Sequence, residues 1–168
     1  MPPGIRDTSQ TIQERIAATH VNSLDVDLDS MAAISNIFRV AVMFRNLSER
    51  RFLLKHNLTF SGLTVLWVLW VFGKMESYQL AEECGISKGT LTGIVSTLEK
   101  HGLIRRIRHP QDGRRKIVMA TDRGETLMHR LFPKINRLEQ EFVRGLEQTE
   151  LSSLARMLRI ILHSQDTP

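Results

Sequence analysis

The chain contains very little cysteine, and Cys84 is the only one among its 168 residues. A single thiol excludes a disulfide within one chain, and it also excludes a metal cluster built on several cysteines. The six histidines are scattered, without a pair at the helical spacing that metal ligands take. We therefore expect neither a metal nor another cofactor.

Long hydrophobic runs are also missing. The longest, LTVLWVLWVF from Leu63 to Phe72, is shorter than the roughly 20 residues that a helix needs to cross a bilayer, which indicates a buried helix. The first residues, MPPGIRDTSQ, lack the basic start and apolar stretch of a secretory signal. The sequence favours a cytoplasmic protein without a membrane partner.

Motifs of common catalytic and nucleotide-binding sites are absent as well. The sequence has no P-loop, no G-x-G-x-x-G, no H-E-x-x-H and no G-x-S-x-G. We therefore expect a protein that is not an enzyme. An enzyme would be favoured again only by a deep pocket with strongly perturbed acid and base groups.

Positive charge is concentrated in one part of the chain. Residues 87–116 hold eight cations against two acids, a net charge of +6, whereas the whole chain carries +5. A general need for solubility would spread mixed charges over the surface. The local excess is typical of a surface that contacts a polyanion.

Apolar periodicity predicts two helices in the first half of the chain. Residues 1–29 are polar and acidic and are interpreted as an N-terminal arm, with one helix started by the capping box Thr11-x-x-Glu14. Residues 30–56 are predicted to form a long amphipathic helix, stopped by Asn57. A second helix, apolar on nearly every side, runs from Thr59 or Ser61 to Gly73 and holds two tryptophans that we interpret as core.

The segment SYQLAEECGISKGTLTGIVSTLEKHG has the spacing of a helix-turn-helix. Cys84 lies on the packed face of its first helix, which predicts a buried, inert thiol. Gly85 permits a sharp turn, and Ser87 is placed to cap the second helix. The outer face of that second helix is small or hydroxylated, where an ordinary exposed helix would favour Glu, Lys, Gln and Ala. Short polar side chains there suit close contact with a DNA groove, and we assign this role to Ser87, Lys88, Gly89, Thr90, Thr92, Gly93 and Ser96.

Two β-rich runs follow, LIRRIRH and KIVMA, and they bracket the turn HPQDGRR. Pro110 suits entry into that turn and Asp-Gly suits its exit, so a β-hairpin is predicted. A hairpin placed after a DNA-facing helix would carry its tip past the major groove. The cations of this wing would then meet phosphates or the adjacent minor groove, and the residues assigned to it are Arg108, Asp112, Arg114, Arg115 and Lys116.

The remaining helices predict a dimer. Thr121 is interpreted as the cap of a helix that contains Pro133, and a last helix runs from about Thr149 to His163. Together with residues 30–56, residues 121–163 carry more apolar surface than a small winged domain can cover. We expect these helices to form a dimer interface.

With these elements in place, the sequence resembles the MarR family of bacterial winged helix-turn-helix regulators over about residues 30–165. The motifs that carry the resemblance are QLAEECGISKGTLTGIVSTLEKHGLIRR, Asp112-x-Arg114 in the wing and ATDRG at residues 120–124. The family pattern differs at Gly93, where many relatives have arginine, and at Ala120, where leucine is usual.

The resemblance implies a mainly α fold with a small β-wing, in which a winged helix-turn-helix is joined to a helical dimerisation region. The DNA-binding part would be residues 77–120, and the dimerisation helices residues 30–56 and 121–163. A homodimeric repressor of transcription is implied, which binds double-stranded DNA at near-palindromic operators and is released by a small-molecule effector that the sequence does not identify. The resemblance also implies that the helix residues face the major groove, that Arg114 enters the minor groove and that Asp112 orients the wing.

Two other functions stay open at the level of sequence. A weakly specific architectural DNA-binding protein is favoured by Gly93, and the ratio of operator to random-sequence affinity would distinguish it. A winged module that recognises acidic protein surfaces is the other, and failure to bind any duplex at low salt would favour it.

Overall fold

Helices account for most of the computed structural model, which describes residues 9–112 and 115–165. Its elements follow in the order α1 (Ile12–His20), α2 (Leu28–Ser48), α3 (Phe60–Phe72), β1 (Met75–Glu76), α4 (Ser77–Glu83), α5 (Lys88–Lys100), β2 (Ile104–Arg108), β3 (Lys116–Ala120), α6 (Asp122–Val143) and α7 (Gln148–Gln165). The predicted fold class, mainly α with a small β-wing, is confirmed.

The chain divides into two compact units. The core unit runs from Arg45 to Leu138, and the terminal unit consists of the chain up to Phe44 and from Glu139 onward. Among the described residues, every buried apolar side chain lies between Leu53 and Leu138. The hydrophobic core therefore belongs to the core unit.

In the terminal unit, α1 is tied to α2 by polar contacts. The predicted capping box is present, because Thr11 Oγ1 accepts the Glu14 N–H and Glu14 Oε2 accepts the Thr11 N–H. Glu14 Oε1 also accepts the side-chain N–H of Asn36 at 3.0 Å, and Arg39 donates to the Gln13 side chain. Hydrogen bonds from Thr11 hold the pKa of Glu14 below its ordinary value. The polar character of this segment thus supplies specific bonds to α2.

The predicted helix over residues 30–56 is not one regular helix. Its α-helical part ends at Ser48, a π-helical turn covers Glu49–Leu53, and a 3-10 turn follows to His56. Glu49 Oε1 accepts the N–H of Phe60 at 2.8 Å, which satisfies a free donor in the first turn of α3. The predicted stop at Asn57 is confirmed, since this residue takes a left-handed conformation with φ 52°.

Helix α3 is the central helix of the core unit, as its composition predicts. Thr59 caps its start by accepting the Gly62 N–H at 3.1 Å. The tryptophans are only half-buried, which corrects their interpretation as plain core. Trp70 packs edge-on against His129 with ring centroids 5.3 Å apart. It therefore lies at the edge of the hydrophobic core and not at its centre.

The wing belongs to a three-stranded antiparallel sheet in the order β1-β3-β2. Ile104 of β2 pairs with Ala120 of β3, and Met75 of β1 pairs with Val118. Strand β1 is not predicted by the sequence pattern, because it is too short for a periodic signal. This strand connects the start of α4 to the wing.

The junction between β3 and α6 requires its glycine. Thr121 caps α6 by accepting the Gly124 N–H at 3.2 Å, and its hydroxyl donates to the Gly102 carbonyl at 2.7 Å. A Cβ at Gly124 would lie 2.1 Å from the Leu103 carbonyl oxygen. A larger residue would therefore separate α6 from the segment that precedes the wing.

Among the described residues, no single helix is both long enough and apolar enough to cross a membrane. The segments Leu28–His56 and Phe60–Phe72 reach that length and composition only when taken together, and they are bent by 77° at the break between them.

Candidate nucleic-acid interface

The helix-turn-helix has the local geometry that its sequence predicts. Leu80 and Ala81 of α4 are buried. Gly85 forms the turn with φ 62°. Ser87 then caps α5, because its hydroxyl accepts the Thr90 N–H at 3.1 Å and lies 2.9 Å from the Thr90 hydroxyl. The start of α5 is thus held by exposed polar side chains.

The outer face of α5 is open to solvent. Ser87, Lys88, Gly89, Thr90, Thr92 and Gly93 are exposed, and Ser96 is half-buried. Around Gly93, no atom of the described residues outside the helix lies within 4 Å of the position that a Cβ would take. Gly93 is therefore not required for close packing against another described element.

Thr92 has a defined hydrogen-bonding state. Its hydroxyl donates to the Lys88 carbonyl at 2.8 Å, and Thr97 donates to the Gly93 carbonyl at 3.0 Å in the same way. The single hydroxyl proton is therefore used within the helix. Toward a partner, Thr92 can act as an acceptor.

Two hollows lie beside α5 in the core unit. The first, of about 410 Å³, brings together four of the predicted site residues, Lys88 and Thr92 from the helix with Arg115 and Lys116 from the wing. The second, of about 310 Å³, is lined by Thr90 and Gly93. The predicted residues of the helix are thus divided between two concave surfaces.

The wing hairpin places cations at its outer end. Arg108 pairs in register with Lys116, and both are exposed. Asp112 accepts the Arg115 N–H through its backbone carbonyl at 3.0 Å, which closes part of the turn. The predicted minor-groove residue Arg114 lies outside the described residues.

Glu76 contacts the loop end of the wing, a relationship that sequence reasoning missed. Its Oε2 lies 2.6 Å from Arg115 Nε, and its Oε1 lies 3.8 Å from His109 Nε2. The Arg115 guanidinium also lies over the Tyr78 ring, 5.7 Å from its centre. These contacts depend on β1, and nothing in the local sequence at Glu76 indicates them.

A second ion pair links α5 to the wing. Glu99 of α5 accepts hydrogen bonds from the backbone N–H of Arg106 at 3.1 Å and from its guanidinium through Nε at 2.9 Å and Nη2. These bonds lower the pKa of Glu99 and raise that of Arg106. The pair fixes the first wing strand to the C-terminal half of α5.

Cys84 follows α4 and is half-buried, so the expectation of a fully buried thiol is corrected. The residue lies one position beyond the last residue of α4, where it is only partly covered. Partial burial, with a smaller effect of the Glu83 carboxylate, raises the pKa of the thiol. A raised pKa lowers the thiolate fraction and hence the reactivity at neutral pH.

Comparison with known proteins agrees with this geometry. The MarR family model matches residues 58–116, which include α4, α5, β2 and the first residue of β3. The uncharacterized HTH-type transcriptional regulator YwaE of Bacillus subtilis (strain 168) is 30% identical over 142 residues, which cover 84% of this chain and 83% of that protein. The chain belongs to the MarR family.

Solved structures of DNA-binding proteins share the fold of this one. A regulator from Streptomyces coelicolor in complex with DNA has a TM-score of 0.73 at 20% identity, covering 83% of this chain and 89% of that chain. Bordetella bronchiseptica BpsR, whose DNA binding is regulated by 6-hydroxynicotinic acid, has a TM-score of 0.68 at 21% identity. The match covers 77% of this chain and 98% of that chain. The family model and the relative that is 30% identical show that this protein is a MarR-type helix-turn-helix transcriptional regulator and not an enzyme.

Proposed function

We propose that this MarR family member is a homodimeric repressor that binds near-palindromic operators. The observation that carries the proposal is the open outer face of α5, where exposed hydroxyls and glycines let a major-groove wall approach the backbone. The basic wing residues Arg115 and Lys116 line the first hollow together with Lys88 and Thr92 of α5. A helix that reads base edges beside a cationic hairpin suits duplex DNA.

Within this proposal the helix and the wing have different roles. Thr92 accepts a hydrogen bond from a base-edge amino group, since its proton is used by Lys88. Lys88, Arg108 and Lys116 contact phosphates. Arg114 enters the minor groove and Asp112 orients the wing, as the family resemblance implies. Ser87, Gly89, Thr90, Gly93, Ser96 and Arg115 complete the interface.

Exposed apolar side chains of the terminal unit support a homodimer. In a single chain Phe38 is 68% exposed and Leu162 is 65% exposed, and other large apolar residues of the terminal helices are similar. Such surface is normally covered in a folded protein. A second copy of the chain can cover it about a two-fold axis, which also suits a palindromic site.

We further infer an arm at residues 1–29, a DNA-binding part at 77–120 and dimerisation helices at 30–56 and 121–163. Because its DNA target is chromosomal, the protein works in the bacterial cytoplasm. Release by a small molecule is included in the proposal, supported by the relative whose DNA binding 6-hydroxynicotinic acid regulates.

Gly93 favours a second candidate, a weakly specific architectural DNA-binding protein. Its position offers no side chain for base readout, although it faces solvent on the outer face of α5. Specificity would then depend on DNA shape.

Footprinting of the purified protein on the DNA beside its own gene tests the proposal. We expect protection of one near-palindromic site, with an affinity at least about a thousandfold above random duplex. A similar affinity for the near-palindromic site and for random duplex would favour the architectural DNA-binding protein over the repressor. No binding to any duplex at low salt would contradict both.

A further inference from the structure

A third hollow lies in the core unit, at the C-terminal end of α5. Its volume is about 380 Å³. Lys88 and Lys100, at the two ends of α5, are separated by roughly 18 Å along the helix axis, so this hollow is distinct from the DNA-facing start of the helix. The charged and titratable residues that line it are Lys55, His56, Lys100, His101, Arg123 and Arg130.

The charge around this hollow has one sign. Four permanent cations line it, and no aspartate or glutamate of the described residues does. Within the same described part of the chain, none of these cations forms a salt bridge. Isolated surface cations are ordinarily solvated and need no partner. Here, however, they converge from a 3-10 turn, the end of α5 and the first half of α6 on one concave surface.

Two histidines, His56 and His101, line this cationic hollow. Burial lowers the pKa of His56 most, and the nearby charges of Lys55, Arg130 and Lys134 lower it further. His101 has a buried Nδ1 without a hydrogen-bond partner among the described residues. Buried polar atoms of this kind are ordinarily satisfied by protein, water or a ligand.

We propose that this hollow binds a compact anion that carries two or more phosphate or carboxylate groups. Its volume falls within the range of small-molecule sites. Arg123 and Arg130 supply planar guanidinium groups that bind such groups through paired hydrogen bonds, and Lys100 adds a point charge. A bound anion would also offer His101 a partner and offset the positive potential at His56. The inference goes beyond regulation of transcription, and its test does not require DNA.

Isothermal titration calorimetry on the full chain at low ionic strength tests the site. Sodium pyrophosphate is the probe in one arm and tricarballylate in the other, and the tighter of the two identifies phosphate or carboxylate as the preferred group. We expect one site per chain. Arg123→Gln or Arg130→Gln should each weaken binding about tenfold or more, because each removes a charge-assisted contact. The matched control is Lys74→Gln, which removes one exposed cation outside the hollow and should leave the affinity unchanged.

Nuclear magnetic resonance of the histidine rings is the second measurement. A bound anion stabilises the imidazolium form, so saturating pyrophosphate should raise the pKa of His56. Arg123 and Arg130 are exposed, so their variants should keep the circular dichroism spectrum and Tm of the wild type. If a variant fails to fold, Lys100→Gln and the titration of His56 decide the question.

Three results would overturn the proposal. Equal loss of affinity in Lys74→Gln and Arg123→Gln would show general charge screening. An unchanged titration of His56 would place the anion elsewhere. If neither small anion binds but duplex DNA does, the hollow is part of the surface that contacts nucleic acid.

Discussion

Arg115 and Glu76 form an ion pair at the loop end of the wing, with 2.6 Å between Nε and Oε2. The Glu76 side chain is 16% exposed and that of Arg115 is 43% exposed. The carboxylate therefore neutralises much of the charge that Arg115 would present to DNA. Any phosphate that binds Arg115 must compete with Glu76.

Replacement of Glu76 with glutamine should increase affinity for random duplex DNA. Glutamine keeps an oxygen for the first turn of α4, whose N–H the Glu76 side chain accepts, while it releases the charge of Arg115. The salt dependence of binding should steepen by up to about one unit, the value for one added phosphate contact. Fluorescence anisotropy at several salt concentrations measures both. Glu82→Gln, at an exposed acid of α4, is the control, and an equal effect of both variants would show a general charge effect.

Thr92→Val should reduce affinity for the operator selectively. Valine keeps the shape but removes the acceptor oxygen, at an expected cost of about 1–3 kcal/mol for a lost base contact. Affinity for random DNA should change little. Thr97→Val is the matched control, because Thr97 makes the same bond to the carbonyl four residues earlier. Equal losses on both DNAs would argue against base readout by Thr92.

Stability should depend on pH through Glu99. Hydrogen bonds from Arg106 hold the pKa of Glu99 below its ordinary value near 4.5. A carboxylate with a lowered folded-state pKa stabilises the fold above that ordinary value, and the contribution is lost as the pH falls through the lowered pKa. The Tm advantage of the wild type over Glu99→Gln at pH 7 should therefore shrink below pH 4.5. The Tm advantage itself should be small, since the Glu99 side chain is 33% exposed. A difference in Tm that does not vary with pH would contradict this account.

Cys84→Ser should bind DNA as the wild type does. Burial raises the pKa of the thiol, so little thiolate is present at neutral pH to react with peroxide. DNA binding by the wild type should survive mild peroxide treatment. Loss of binding in the wild type but not in the serine variant would identify Cys84 as a redox switch.

Phe38→Asp should dissociate the proposed homodimer. Phe38 is 68% exposed in a single chain, and an aspartate there would place an unpaired charge in an apolar interface. Analytical ultracentrifugation should show a monomer at micromolar concentration. Phe72→Asp introduces the same change at a phenylalanine that is 59% exposed in the core unit, and it should remain a dimer. If Phe38→Asp and Phe72→Asp both remain dimers, Phe38 does not lie in the interface.

The sequence by itself determined those elements whose signals are local. Thr11, Thr59, Ser87 and Thr121 each cap a helix through bonds to a residue three positions later. Such bonds need no distant partner, and a short polar side chain that precedes an apolar period therefore predicts them. The exposure of the small and hydroxylated residues along the outer face of α5 is likewise predictable, because it depends only on helical periodicity, whereas their contact with DNA stays a prediction.

Only the tertiary structure decided the contacts between segments that are distant in sequence. Glu76 meets Arg115 because β1 pairs with β3, and a two-residue strand carries no periodic signal of its own. The cationic hollow forms because Lys55, Lys100 and Arg123 converge from three segments. The half-buried state of Cys84 depends on where α4 ends. Each of these depends on packing in three dimensions, which hydrophobic periodicity along the chain does not encode.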